Sequence, residues 1–309
     1  MPESSLFEQI KNLDTEKTNP RTVNIDILDT HEVLVLINAE DKTVPHAVAE
    51  QIPNITKAVD IIVDRMKKGG RLIYFGAGTS GRLGVVDSSE CPPTFGVDKT
   101  LVQACIAGGL PAIFTAQEGA EDSEKLGEND FNDKNPTPND IVCGIAASGR
   151  TPYVLGALKA ARKLGAATMM LTTVSEKKTD HLKDFCDVII APYVGPEVIA
   201  GSTRMKSGTA QKLVLNMLTT ASMIKLGKTY GNVMVDLQLT NQKLKERAKR
   251  IIMDICACDY DRAAEALKLS HGKVKNAILM ELAEISYEES ISRLKEFDGS
   301  IKSALRNSR

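Results

Sequence analysis

The sequence predicts an α/β fold: a mainly parallel sheet of five strands flanked by helices, with a small helical domain at the C-terminal end. Three observations lead there. Five short apolar runs, at residues 71–75, 101–107, 140–146, 167–172 and 188–191, are separated by stretches of helical periodicity. Most of these runs are apolar throughout, without alternation, as strands covered on both faces are. Beyond Cys258 the strand-like runs stop, and short amphipathic segments divided by Gly272 and Gly299 take over.

The elements follow in order. Residues 1–30 are polar, carry Thr18-Asn19-Pro20-Arg21, and read as a partly extended arm. Helices are expected at 29–38 and 45–67. The second opens on Pro45, places Val48, Ile52, Ile55, Val59, Ile62 and Met66 at helical spacing, and stops at Gly69-Gly70, with Pro53 expected to kink or break it. Short helices at 112–117 and 123–131 surround Glu118, Glu121 and Asp122. Residues 152–164 form a helix with Pro152 in its first turn. A long helix at 202–226 turns Leu213, Val214, Met217, Leu218 and Ala221 inward, and 232–255 is expected to continue helical. Helices at 260–269, 274–285, 286–294 and 300–305 complete the tail. The expected domains are 1–258, with the arm, and 259–309. The second is near the lower limit for folding alone, so it should lean on the main domain or on another subunit.

Composition narrows the function. With 42% hydrophobic and 26% charged residues among 309, the chain is ordinary for a globular protein. A formal net charge of -1 gives no pull toward nucleic acid or an anionic membrane surface. No apolar run approaches the length of a membrane span, and the N-terminus lacks a signal-peptide core. The six cysteines are scattered, and their places suggest buried thiols in a reducing cytoplasm. Neither they nor the four histidines show metal-ligand spacing, so no metal is expected.

The chemistry is concentrated after the first strand, at Gly76-Ala77-Gly78-Thr79-Ser80-Gly81-Arg82. The glycines allow a sharp turn, and Thr79, Ser80 and Gly81 stand where a helix begins. Unpaired N–H groups and the helix dipole favour an anion there. Gly76, Gly78 and Gly81 also fit a dinucleotide fingerprint, but the next strand ends in Gly108-Gly109 with no ribose-binding carboxylate. Arg82-Leu83 replaces the Lys-Ser/Thr of a P-loop. A phosphomonoester fits better, against the plainer reading of a tight turn that holds nothing. Glu90 follows, beside Pro92-Pro93, which should force the chain out of helix and stiffen the backbone around the carboxylate.

The strand-then-hydroxyl arrangement recurs. Ser148-Gly149-Arg150-Thr151 follows the third strand, and Gly201-Ser202-Thr203 with Lys206 opens the long helix. Ser and Thr cap helices everywhere, but three such loops at one sheet edge would surround a phosphate with neutral donors.

These residues resemble the phosphosugar-binding sugar isomerase (SIS) domain. More narrowly, segments 41–45, 76–84, 89–94, 118–122, 146–153 and 201–215 are similar to the family of N-acetylmuramic acid 6-phosphate etherases, and the similarity covers most of the chain. The resemblance implies an SIS-type sheet, a sugar phosphate as ligand, no cofactor, and an elimination that releases lactate. It implies Glu90 as the acid for the departing lactate and, with more competition from its neighbours Glu118 and Asp122, Glu121 as the base for the C2 proton. Thr79, Ser80, Gly81, Arg82, Ser148, Gly149, Arg150, Thr151, Ser202, Thr203 and Lys206 are expected to bind substrate, and Glu197 to meet sugar hydroxyls. Arg82, Arg150, Arg204 and Lys206 are open choices for balancing the phosphate and the lactyl carboxylate. A homodimer is expected, because the apolar helices at 203–255 exceed what one sheet face covers. Two alternatives remain: a sugar-phosphate-binding regulator like the glucokinase regulatory proteins, and an aldose–ketose isomerase.

Overall fold

The computed structural model describes residues 13–306 apart from Gln238 and Thr240. The first part of the expected arm, residues 1–12, lies outside the described residues. The chain forms two compact units. One comprises residues up to Ser89 together with Thr100–Thr219; the other comprises Glu90–Lys99 and Thr220–Arg309. The boundary expected after Cys258 does not coincide with this division.

In the first unit, helices α1 (Thr30–Asp41), α2 (Val44–Glu50) and α3 (Ile52–Lys67) precede the sheet. Asp29 and Glu32 close a reciprocal capping box on α1, satisfying two otherwise orphan N–H groups. The expected break near Pro53 is real: α2 and α3 part at Gln51, and Pro53 sits in the first turn of α3, where its missing N–H costs nothing.

The sheet consists of β1 (Leu72–Gly76), β2 (Val102–Ile106), β3 (Ile141–Ile145), β4 (Ala167–Leu171) and β5 (Val188–Ile190). All neighbours are parallel, in the order β2-β1-β3-β4-β5. The strands carry the apolar runs because both faces are covered. On one face Ile73, Phe75, Val142 and Met170 pack with Tyr153, Val154, Ala157, Leu158 and Ala161 of α7 (Pro152–Leu164) and with Phe131 of α6 (Glu124–Asn132). The rings of Phe75 and Phe131 meet edge to face at 6.3 Å. α6 and α7 touch backbone to backbone: a Cβ on Gly127 would lie 1.8 Å from Tyr153 O, and one on Gly156 2.0 Å from Glu124 O. A brief helix α5 (Pro111–Phe114) lies between β2 and α6.

Helix α4 (Gly78–Phe95) starts at the glycine turn, as expected, but it runs through Pro92 and Pro93. The two prolines therefore do not end it, although each removes one backbone bond to the carbonyl four residues before it; Gly96, at φ 65°, makes the stop. The long helix α8 spans Lys206–Lys225.

The second unit corrects another expectation. Residues 232–255 are not one helix. β6 (Thr229–Tyr230) and β7 (Val233–Met234) pair antiparallel around Gly231-Asn232, and only then does α9 (Gln242–Cys256) begin, capped by Asn241. Helices α10 (Tyr260–Leu269), α11 (Val274–Ala283), α12 (Tyr287–Glu296) and α13 (Ile301–Arg306) follow. Ala248, Ile252, Ala263, Ala277, Ile278 and Ala304 lie at the centre of that unit's core. Lys228 and Lys275 each donate to Asp236 Oδ2 at 2.9 Å.

Candidate active site

In the order β2-β1-β3-β4-β5 the connections leaving β1 and β3 diverge, and a crevice opens at the carboxyl ends of those two strands. The register brings Gly76 beside Ile145, so the loops that follow leave the sheet as neighbours. A cavity of about 460 Å³ occupies this place. Ala77, Gly78, Thr79 and Ser80 form one wall; Ile145 to Ser148, with Arg150, Thr151 and Pro152, form another. Gly201 and Thr203 come from the loop before α8, and Glu121 and Asp122 from the short turn before α6. Two hydroxyl loops and part of the third thus line one cavity.

Local interactions set these groups. Ser80 is buried, and its hydroxyl donates to Gln211 Oε1 at 2.9 Å. Gln211 Nε2 is buried without a partner among the described residues. Turning the amide over would let Nε2 donate to Ser80 and free the Ser80 proton for a phosphate oxygen. The Ser148 hydroxyl accepts from the N–H of Arg150 at 3.2 Å. Thr151 is the N-cap of α7, yet its side chain makes no capping bond, which leaves its hydroxyl to the cavity. Arg150 is the only basic side chain on the cavity wall among the described residues, so neutral donors dominate.

Several expected contacts are used elsewhere. Glu197 is buried, and its two carboxylate oxygens accept from the N–H groups of Lys206 and Ser207, both at 2.9 Å. It caps α8 and does not line the cavity. Lys206 is also fully buried and donates from Nζ to Glu40 and to Val194 O. Ser202 is not on the wall, although Gly201 and Thr203 on either side are. Gly81 is a packing glycine: a Cβ there would lie 2.6 Å from Ile106 Cγ1 and 2.8 Å from Gly76 O. Gly149 serves the turn, with φ 67° and its carbonyl within 3.0 Å of His181 Nε2. Arg82 lines a second, smaller cavity, and Arg204 is exposed. Glu90 belongs to the other compact unit, exposed on α4.

The arm supplies wall residues that sequence reasoning missed. Leu13, Thr15 and Glu16 line the cavity. Asp14 anchors them by accepting from Lys17 at 2.7 Å, Lys178 at 2.9 Å and the Ser175 N–H at 3.1 Å. These bonds outweigh burial and hold its carboxyl below the usual range. The Gly201 N–H donates to Thr15 O at 3.1 Å, joining arm to loop. On the buried side of α4, Asp87 accepts from the Tyr74 hydroxyl at 2.9 Å and from the Thr219 hydroxyl at 3.1 Å. Burial pushes its pKa up to about 6 against those two bonds.

The chain resembles known proteins over nearly its whole length. It is 56% identical to an N-acetylmuramic acid 6-phosphate etherase of Clostridium beijerinckii, covering 88% of this chain and 89% of that one. Identity is 56% to the one from Clostridioides difficile, over 89% of this chain and 90% of the relative. The chain belongs to the N-acetylmuramic acid 6-phosphate etherase family. An etherase of Salinibacter ruber is 53% identical over 91% of this chain and 90% of its own length. Residues 54–162 match the glucokinase regulatory protein N-terminal SIS domain, a stretch that includes the loops after β1 and β3. No helix among the described residues is long and apolar enough to cross a membrane.

Proposed function

We propose that this chain cleaves the lactyl ether of N-acetylmuramic acid 6-phosphate, giving N-acetylglucosamine 6-phosphate and D-lactate, a carbon–oxygen lyase reaction of amino-sugar catabolism and cell-wall recycling. The observation that carries this reading is the 56% identity to an etherase over 88% of the chain. The cavity supports it: Ser80, Ser148, Thr151 and the N-terminus of α4 suit a phosphate, and Glu121 lines the same cavity.

An alkyl ether is a poor leaving group, so direct displacement is slow. Once the sugar ring opens, C1 is an aldehyde and the C2 proton becomes acidic. Glu121 takes that proton, the C–H electron pair becomes the C2–C3 double bond, and the C3–O bond breaks. Glu90 delivers a proton to the departing lactate oxygen. Water then adds across the unsaturated aldehyde, oxygen to C3 and proton to C2, with Glu90 now acting as base. One carboxyl must begin ionised and the other protonated.

In this reading the chain pairs with a second copy of itself. Exposed Leu34 and Val35 on α1, and Leu110 and Phe114 around α5, offer apolar surface for a homodimer. The net charge of -1 fits a small-molecule enzyme of the cytoplasm and not a nucleic-acid binder.

Product analysis on N-acetylmuramic acid 6-phosphate tests the activity. Stoichiometric free D-lactate with N-acetylglucosamine 6-phosphate is expected. A ketose phosphate, or binding with no turnover, would overturn the reading in favour of an isomerase or a regulator.

A further inference from the structure

A second cavity of about 200 Å³ adjoins the first and shares Ala77, Gly78 and Glu121 with it. Its other walls are Ala107, Ala112 and Ala116, with Arg82, Gln117 and Glu118. Four alanines make much of this small lining apolar, and Arg82 is its one cation, set among Gln117, Glu118 and Glu121. Arg82 is held in place by its Nε, which donates to Ile113 O at 3.0 Å. Its two terminal nitrogens meet no hydrogen-bond or ion-pair partner among the described residues. A planar fork fixed at one nitrogen and open at the other two is preorganised for a carboxylate.

We infer that this cavity is the lactyl subsite, with Arg82 as the specificity-determining residue that pairs with the lactyl carboxylate while the alanines receive the lactyl methyl group. The inference rests on the etherase reading, and the shared wall gives the connection. Glu121 lies on both cavities, and in that reading it acts at C2. The lactyl ether is on C3, one bond away. With the phosphate against Ser80, Ser148 and Thr151, a substituent on C3 passes Glu121 and enters the smaller space. The carboxylates of Glu118 and Glu121 on the same lining repel a second anion except beside Arg82. The subsite therefore accepts a carboxylate at one end only, which fixes the orientation of the leaving group.

The test uses the full chain and Arg82→Gln, with Arg82→Lys as the variant that keeps the charge but loses the fork. Two ligands are compared: N-acetylmuramic acid 6-phosphate, which carries the lactyl group, and N-acetylglucosamine 6-phosphate, which does not. Arg82→Gln should raise KM for the first by about 10- to 100-fold, the range for losing a charge-assisted pair. Its Kd for the second should stay within about twofold of the wild type, which also reports an intact fold. An analogue with the lactyl carboxylate converted to an amide should be discriminated against by the wild type and not by Arg82→Gln, with Arg82→Lys between. Equal weakening of both ligands would overturn the inference, because the cavity would then hold part of the sugar such as the N-acetyl group. So would an unchanged KM, or discrimination against the amide that survives in Arg82→Gln. If the wild type itself releases no lactate, the etherase reading fails before the subsite is reached.

Discussion

Lys206 donates from Nζ to Glu40 Oε2 at 2.8 Å, and both side chains are almost completely removed from water. Glu40 also accepts from Arg21 and from Asn19, so one carboxylate on α1 ties the arm to the first turn of α8. The Arg21 bond first, then those from Lys206 and Asn19, hold its pKa down at about 2 against the opposing effect of burial. A carboxyl with a folded pKa below its unfolded value contributes stability above about pH 4.5, and that stability is lost as pH falls toward 2. At neutral pH, Glu40→Gln leaves Lys206 charged and buried. The expected loss is about 3–5 kcal/mol, the usual result of breaking a buried pair from one side. Glu40→Gln with Lys206→Met should recover much of it, because no charge is stranded. Urea unfolding at pH 7 of the wild type, both single variants and the double checks this; additive losses would show that the pair is not coupled.

Asp87 runs the opposite way with pH. Its folded pKa of about 6 is above the ordinary carboxylate value, so the fold prefers it protonated. Its contribution is largest below about pH 4, declines as pH rises to about 6, and is flat beyond. Among the groups facing it are Tyr74 from β1, Thr219 from α8 and the buried thiol of Cys143 from β3, itself pushed up mainly by burial. Asp87→Asn removes the titration. The stability of the variant relative to the wild type should therefore improve between pH 4 and pH 7, by at most about 3 kcal/mol for a carboxyl raised from 3.8 to about 6. Denaturant midpoints of both proteins across that range measure it, and parallel curves would refute it.

The parts that could be read from sequence were those governed by local rules. The apolar runs became strands within a residue or two, and 152–164 is α7 as expected, because Pro152 and Gly165 mark both ends. That the loops after β1 and β3 come together at one cavity was legible because parallel neighbouring strands release their loops at the same sheet edge. The hairpin at Gly231-Asn232 had a signal too, a Gly-Asn pair between Tyr230 and Val233, masked by the helical pattern on both sides. What remained hidden depended on partners distant in sequence. Glu197 and Lys206 looked like ligand contacts, but whether a carboxylate meets a sugar or caps a helix depends on where α8 starts. No periodicity indicates that Thr15 reaches the loop at Gly201. Arg82 was legible as a cation near the site, but its separate cavity is formed by Ala107 and Ala112, which follow the neighbouring strand β2.

The two proton transfers proposed for the glutamates can be separated by experiment. Exchange of the C2 proton of N-acetylglucosamine 6-phosphate with solvent deuterium needs only ring opening and a base; lactate release needs an acid as well. If Glu121 is the base, Glu121→Gln should lose both reactions while still binding the sugar phosphate, since Ser80, Ser148 and Thr151 are untouched. If Glu90 serves the leaving group and the water, Glu90→Ala should lose lactate release and keep the exchange. Each affected step should fall by about 10²- to 10⁴-fold, the usual contribution of a positioned acid or base. Proton NMR in heavy water follows the C2 signal, and an enzymatic lactate assay follows the other step. The opposite pattern, with exchange abolished in Glu90→Ala and preserved in Glu121→Gln, would exchange the two roles. If neither substitution mattered, Glu118 would be tested next, because it lines the smaller cavity together with Glu121. Glu197 would remain a less favoured candidate, since both its oxygens already accept from the backbone of α8.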